Sequence, residues 1–142
     1  MTTVYVDSSA LLKRVLNEPE TDAVADALRT RAMRRDLLTS SSLSWVEVWR
    51  ALRRASTLIP DLVAEPWAGD ALAGIAELPL TAEILVSARS VGPDVLRSLD
   101  AIHLASALTI DADIVLTFDG RLAAAAEASG LQVAAPQDLG RH

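Results

Sequence analysis

Cysteine is missing from all 142 residues. That excludes disulfide scaffolds, thiolate metal sites and cysteine nucleophiles together, and it fits a reducing cytosol. Aromatic residues are scarce, at 4% of the chain, so the core must be mostly Ala, Leu and Val. Lysine is nearly absent too: of 13 basic residues, Lys13 alone is not arginine. No apolar run is long enough to span a bilayer, and no basic stretch with an apolar core and cleavage site follows Met1. Neither a membrane helix nor a signal peptide is therefore expected, and the expected location is cytoplasmic. Positive charge is also in deficit, with a net charge of -6. That argues against a module gripping nucleic acid by phosphate neutralisation alone. It leaves a nuclease open, because bound divalent cations can reverse the field of an acidic pocket.

What is present is 51% hydrophobic, with only 6 Gly and 6 Pro. This predicts a single helix-rich domain over 1–142, with about 70% of the unfolded surface buried. Val4 to Asp7 reads as a short buried strand that tips into a helix capped by Ser8 or Ser9 and ended by Pro19. A second helix is expected over Glu20 to Arg35, a strand at Leu37-Leu38-Thr39, and a third helix from the Ser40-Ser41-Ser42 cluster to about Thr57. A short helix near Asp61 to Ala71, a strand over Ile75 to Leu80 and a helix over Thr81 to Ser90 follow. Ser98 to Ile110 is the most regular helical pattern, and Ile114 to Phe118 the clearest strand. Arg121 to Ser129 reads as helix and Leu131 to Ala134 as a last strand. Strands alternating with helices imply an α/β fold of three layers, α/β/α, around a mainly parallel sheet of four or five strands.

In such a sheet a ligand sits beyond the carboxyl ends of the strands. Asp7 and Asp119 both fall at such ends, and the layout can bring Glu47 and Asp100 to them. Four carboxylates suit a hard cation, Mg²⁺ or Mn²⁺, and such a site suits phosphodiester hydrolysis. Each acid has an ordinary reading as well. Asp7 could cap a helix, Asp100 could answer a helix dipole, and Asp119 could open an Asp-Gly turn. Ser44 and Glu47 have the spacing of a capping box.

Four segments together resemble a PIN domain: Val4-Tyr-Val-Asp7-Ser-Ser-Ala-Leu-Leu, the helix of Glu47, Ser98-Leu-Asp100-Ala-Ile-His-Leu-Ala, and Leu116-Thr117-Phe-Asp119-Gly-Arg-Leu. Size and segment order are similar to the VapC toxins of bacterial toxin–antitoxin pairs. The resemblance implies an endoribonuclease in which Asp7, Glu47, Asp100 and Asp119 hold Mg²⁺ or Mn²⁺ and a metal-activated water cleaves RNA. It also implies a cognate antitoxin and a homodimer or toxin–antitoxin hetero-oligomer, with no membrane partner. Ser8 and Thr117 are candidates for hydrogen bonds around the metal, each with a plain alternative: a helix cap for Ser8, a β-branched strand residue for Thr117.

Other side chains stay open at this point. His103, one turn from Asp100, invites a general-base role, but packing and hydrogen bonding in the helix are favoured. Trp45 and Trp49 could stack on bases, with core or partner contact favoured. Arg50 and Arg54 could reach phosphate or form a solvated face, and the Arg29, Arg31, Arg34 and Arg35 cluster suits phosphate contacts in type. Asp113 lies at the wrong end of its strand and is left out of the site. The rival functions are a phosphoaspartate phosphatase or receiver domain, and a non-catalytic PIN-like interaction module. A phosphatase of that kind needs a second Asp where Ser9 stands, and it and the receiver domain both use a downstream lysine that the chain lacks after Lys13.

Overall fold

A computed structural model describes residues 1–134. The expected α/β architecture is present, with five strands among the described residues, all of them parallel. The strands are β1 (Thr3–Val6), β2 (Leu37–Ser41), β3 (Ala76–Leu78), β4 (Ile114–Leu116) and β5 (Gln132–Val133). They lie in the order β3-β2-β1-β4-β5. The helices are α1 (Ser8–Lys13), α2 (Thr21–Met33), α3 (Ser42–Ala55), α4 (Ala64–Leu72), α5 (Ala82–Ala88), α6 (Ser98–Thr109) and α7 (Gly120–Ala128).

Strand periodicity divides the core into two layers. Val4 and Val6 of β1 pack with Ile114 and Leu116 of β4 on one face, beneath Leu11, Val24, Leu28, Val48 and Leu52 from the first three helices. Tyr5 and Val115 point the other way, to Leu104 of α6 and Leu122 of α7. Three consecutive β1 residues are thus wholly buried, as expected of a central parallel strand covered on both sides. Gly92 closes the α5–α6 connection at φ +74, where a Cβ would stand 2.9 Å from Leu96 Cδ2. Only glycine takes that turn without strain.

Several boundaries differ from the sequence reading. The first helix stops at Lys13, well before Pro19, passing into a turn in which the Arg14 and Val15 N–H groups reach back only three residues, to Leu11 and Leu12. The Arg14 guanidinium donates to the carbonyls of Ala71 and Ala73 at 2.9 and 2.8 Å, at the end of α4. Strand β3 ends at Leu78, before Pro79, which has no N–H for a ladder. The fourth helix begins at Ala64 rather than at Asp61, whose φ of 65 is not helical. Strand β4 ends at Leu116, leaving Thr117 and Phe118 outside the sheet.

From β1 the chain moves outward through β2 and β3, then crosses back to place β4 and β5 on the other side. Strand order therefore reverses between β1 and β4, and their carboxyl ends open the crevice where such folds bind ligands. Asp7 follows the first of these strands, and Thr117 follows the second.

Candidate active site

Asp7 is the first residue past β1, and its N–H still reaches Leu116 O across the crevice at 3.2 Å. It is 3% exposed. Oδ1 accepts from the Ser9 hydroxyl at 2.7 Å and from the Ala10 N–H at 3.0 Å, and Oδ2 accepts from the Thr117 hydroxyl at 2.5 Å. The Ala10 bond makes Asp7 itself the cap of α1, a place expected for Ser8 or Ser9. The hydroxyl that holds it belongs to Ser9, one residue beyond the Ser8 singled out from sequence. Burial pushes the Asp7 carboxyl above the usual range, although Thr117, Ser9, Ala10 and His103 all favour its ionised form.

Residues 117–119 leave the sheet to finish this arrangement. The Phe118 N–H donates to Ser9 Oγ at 2.9 Å, and the Asp119 N–H donates to Thr117 Oγ1 at 3.0 Å. Thr117 thus accepts from one acid's backbone while donating to the other acid's carboxylate. Asp119 caps α7, its Oδ1 accepting from the N–H groups of Arg121 and Leu122 at 2.9 and 3.2 Å. An acid in that position is stabilised by the helix terminus whatever else it does.

Glu47 comes from the middle of α3. The capping-box reading fails here, because the cap is Ser41, accepting from Leu43 N–H, while Ser44 is buried against Ser40 at 2.6 Å. The Glu47 carboxylate is therefore free to meet His103 Nε2 at 2.6 Å. Asp100 lies in the first turn of α6, one turn before that histidine. Its carboxyl is raised by burial first and then by Asp119, with Asp7 and Glu47 adding to the effect and His103 opposing it. The other three acids, each from a different segment, are thus all near enough to raise the cost of ionising Asp100. Glu47, Asp100 and Asp119 line one open cleft of about 710 Å³, joined by Arg97, Ser98, Leu99, Gly120 and Arg121.

This donor set fits a hard divalent cation in chemistry: carboxylate oxygens, one of them buried, whose mutual repulsion a cation would relieve. The positions are not those of a closed coordination shell. Among the described residues no three such side chains stand where they could hold one ion. The reason lies in the bonds just given. Each of Asp7, Asp119 and Glu47 is turned toward a protein donor.

The chain matches the PIN domain family over residues 4–128. It belongs to that family. This PIN domain is similar to Ribonuclease VapC46 of Mycobacterium tuberculosis, with 39% identity over 138 residues, 96% of this chain and 99% of that protein. Ribonuclease VapC47 of the same species is 35% identical over 135 residues, 94% of this chain and 96% of its own length. In fold, the structure of VapBC2 from Rickettsia felis bound to a DNA fragment from their promoter agrees with a TM-score of 0.72 at 11% identity, covering 94% of this chain and 98% of that one.

Of the other side chains weighed from sequence, most lie elsewhere in this PIN domain. Trp45 is partly buried against the core, and Trp49 is an exposed apolar residue of α3. Arg50 and Arg54 are exposed and do not line the cleft. Arg31 is buried against Asp36 at 3.0 Å, at the amino end of β2 and hence at the opposite edge of the sheet. Asp113 accepts from the Thr3 N–H at 2.8 Å at that same edge, as its exclusion from the site anticipated. The arginines at the cleft are Arg97 and Arg121, beside the first turns of α6 and α7, and both went unremarked in the sequence. Their signal was available: each adjoins a helix start that also carries one of the four acids.

Proposed function

We propose that this chain is an endoribonuclease of the VapC kind, hydrolysing RNA phosphodiester bonds with Mg²⁺ or Mn²⁺ as the toxin of a toxin–antitoxin pair. The observation that carries the reading is that Glu47, Asp100 and Asp119 line one cleft at the reversal point of the sheet, with Asp7 near enough to act on the Asp100 carboxyl. Near-full-length similarity to VapC ribonucleases supports it. Membership of the PIN domain family speaks against the phosphoaspartate alternatives.

Asp7, Glu47, Asp100 and Asp119 are the residues that would hold the cation. When bound, a divalent cation lowers the pKa of water and offsets charge developing on a phosphate. The chain's own residues prepare for this. Ser9 and Thr117 hold both oxygens of Asp7, so its orientation is set in advance. Glu47 presents a carboxylate steadied by His103. Arg97 and Arg121 supply positive charge on a rim that otherwise faces three acids, and RNA phosphates flanking the scissile bond are their natural partners. The partner of the whole protein is an antitoxin, as the VapBC pairing of the Rickettsia felis structure suggests, with a homodimer or a toxin–antitoxin hetero-oligomer as the assembly.

Purified protein should cleave RNA when Mn²⁺ or Mg²⁺ is added and stop when a chelator removes it. Asp7→Asn and Asp100→Asn should each abolish cleavage while remaining folded. Cleavage undiminished by chelator, or by both substitutions, would refute the proposal.

A further inference from the structure

His103 is 3% exposed, yet both ring nitrogens have partners. Nδ1 stands 2.6 Å from the hydroxyl of Tyr5, and Nε2 stands 2.6 Å from Glu47 Oε1. The phenol oxygen in turn accepts the backbone N–H of Ser41 at 3.2 Å. Ser41 is the residue that caps α3, the helix carrying Glu47. The chain of bonds therefore starts at the cap of α3, crosses the core through β1 and α6, and returns to α3 at Glu47.

The direction of each bond follows from what each atom can do. A backbone N–H only donates, so the phenol oxygen accepts from Ser41. An ionised carboxylate only accepts, so the hydrogen between Nε2 and Glu47 Oε1 belongs to Nε2, and Nδ1 of the neutral ring accepts the phenolic hydrogen of Tyr5 at 2.6 Å. An imidazole that accepts at Nδ1 carries its hydrogen at Nε2, and that hydrogen points at a carboxylate able to accept it. The rings meet edge to face, at 69° and 5.9 Å between centroids, which holds the imidazole plane.

We infer that His103 is a positioning residue for Glu47, held by Tyr5 in the tautomer with N–H at Nε2, so that Oε1 is fixed and Oε2 is left to face the cleft. A ligating carboxylate is set by hydrogen bonds behind it, and losing such a bond commonly weakens metal binding about tenfold to a hundredfold. His103 then acts through Glu47 and touches neither substrate nor cation. The inference rests on the proposed role of Glu47 as a ligand, and its test separates the two.

The first measurement needs no metal. Nitrogen NMR on the metal-free protein should find His103 protonated at Nε2 and bare at Nδ1, and Tyr5→Phe should convert it to a mixture of tautomers. A His103 protonated at Nδ1 and bare at Nε2 would overturn the relay. The second is Mn²⁺ titration. His103→Asn, which cannot reach Glu47, should weaken binding about tenfold or more, while His103→Gln, whose amide N–H extends toward the place of Nε2, should recover most of it. In RNA cleavage the Asn variant should lose kcat at low Mn²⁺, regain it at high Mn²⁺, and keep its KM for RNA. Wild-type Mn²⁺ affinity in a folded His103→Asn would sink the proposal. Unchanged affinity in Glu47→Gln would instead overturn the ligand role of Glu47, leaving the tautomer measurement to decide the relay alone.

Discussion

The hydroxyls of Ser9 and Thr117 stand 3.5 Å apart and divide Asp7 between them, Ser9 donating to Oδ1 and Thr117 to Oδ2. One comes from the helix after β1 and the other from the chain after β4. The bond pair therefore joins the two strands at the crevice while aiming the carboxylate.

Thr117→Val keeps the shape of this side chain and removes its oxygen. Asp7 Oδ2 would lose its donor and the Asp119 N–H its acceptor. Leaving buried groups unpaired costs about 1–3 kcal/mol, enough to lower Tm by several degrees. Thr117→Ser should retain most of both bonds. A melting comparison of the two variants checks this, and equal melting would show that the hydroxyl carries no stability.

The acids should oppose stability when no cation is bound. Burial and neighbouring acids raise the Asp100 carboxyl, so the folded protein holds that proton more tightly than the unfolded chain does. The Asp100 contribution is then fully present below the ordinary carboxylate range and is lost as pH rises through the raised folded value. At neutral pH in chelator, Asp100→Asn should therefore melt above wild type. With saturating Mn²⁺ the order should reverse, because binding to the folded state stabilises wild type alone. An Asp100→Asn protein that melts below wild type in chelator would contradict this account.

Arg31 and Asp36 form the opposite case. Both side chains are nearly inaccessible, at 3% and 8% exposure, and Asp36 also accepts the Thr2 N–H at 3.2 Å. Burial alone would raise the Asp36 carboxyl, but Arg31 and the Thr2 N–H outweigh it and hold it low. Its contribution is present above the unfolded carboxylate range and is lost as pH falls through the folded value. Asp36→Ala strands a buried guanidinium and should cost about 3–5 kcal/mol in urea unfolding at neutral pH. The difference from wild type should shrink in acid.

Arg97→Ala and Arg121→Ala test the rim of the cleft. Each should raise the KM for RNA and flatten its dependence on salt, since each removes one phosphate contact. Mn²⁺ affinity should hold steady. A loss of Mn²⁺ binding as large as the loss of RNA binding would place these arginines in a different role.

Much of this was legible in the chain. Alternating strands and helices sufficed for the parallel sheet, because strand period and crossover handedness leave few other arrangements, and Asp7 and Asp119 pointed to the end of it where the site is proposed. What sequence could not convey was pairing across distance. Ser8 and Ser9 are equivalent as neighbours of Asp7, and only the position of Phe118 makes Ser9 the one that bonds. Arg31 reads as a member of a basic cluster until the turn before β2 brings Asp36 over it. Ser44 and Glu47 have the spacing of a cap, but the helix starts one residue after Ser41, which puts Ser44 inside it. His103 read as a packed and hydrogen-bonded helix residue, which is where it lies. Its two partners come from β1 and α3, and no local pattern reveals them.

Asp7 and Asp119 each begin a helix with the same carboxylate that the proposed chemistry needs. Asparagine caps a helix about as well as aspartate does. At these two positions a single Asp→Asn substitution would therefore silence the chemistry while sparing the architecture. Any population under pressure to disarm such a protein has a short route to a silent copy that still folds, persists and displays the same outer surface.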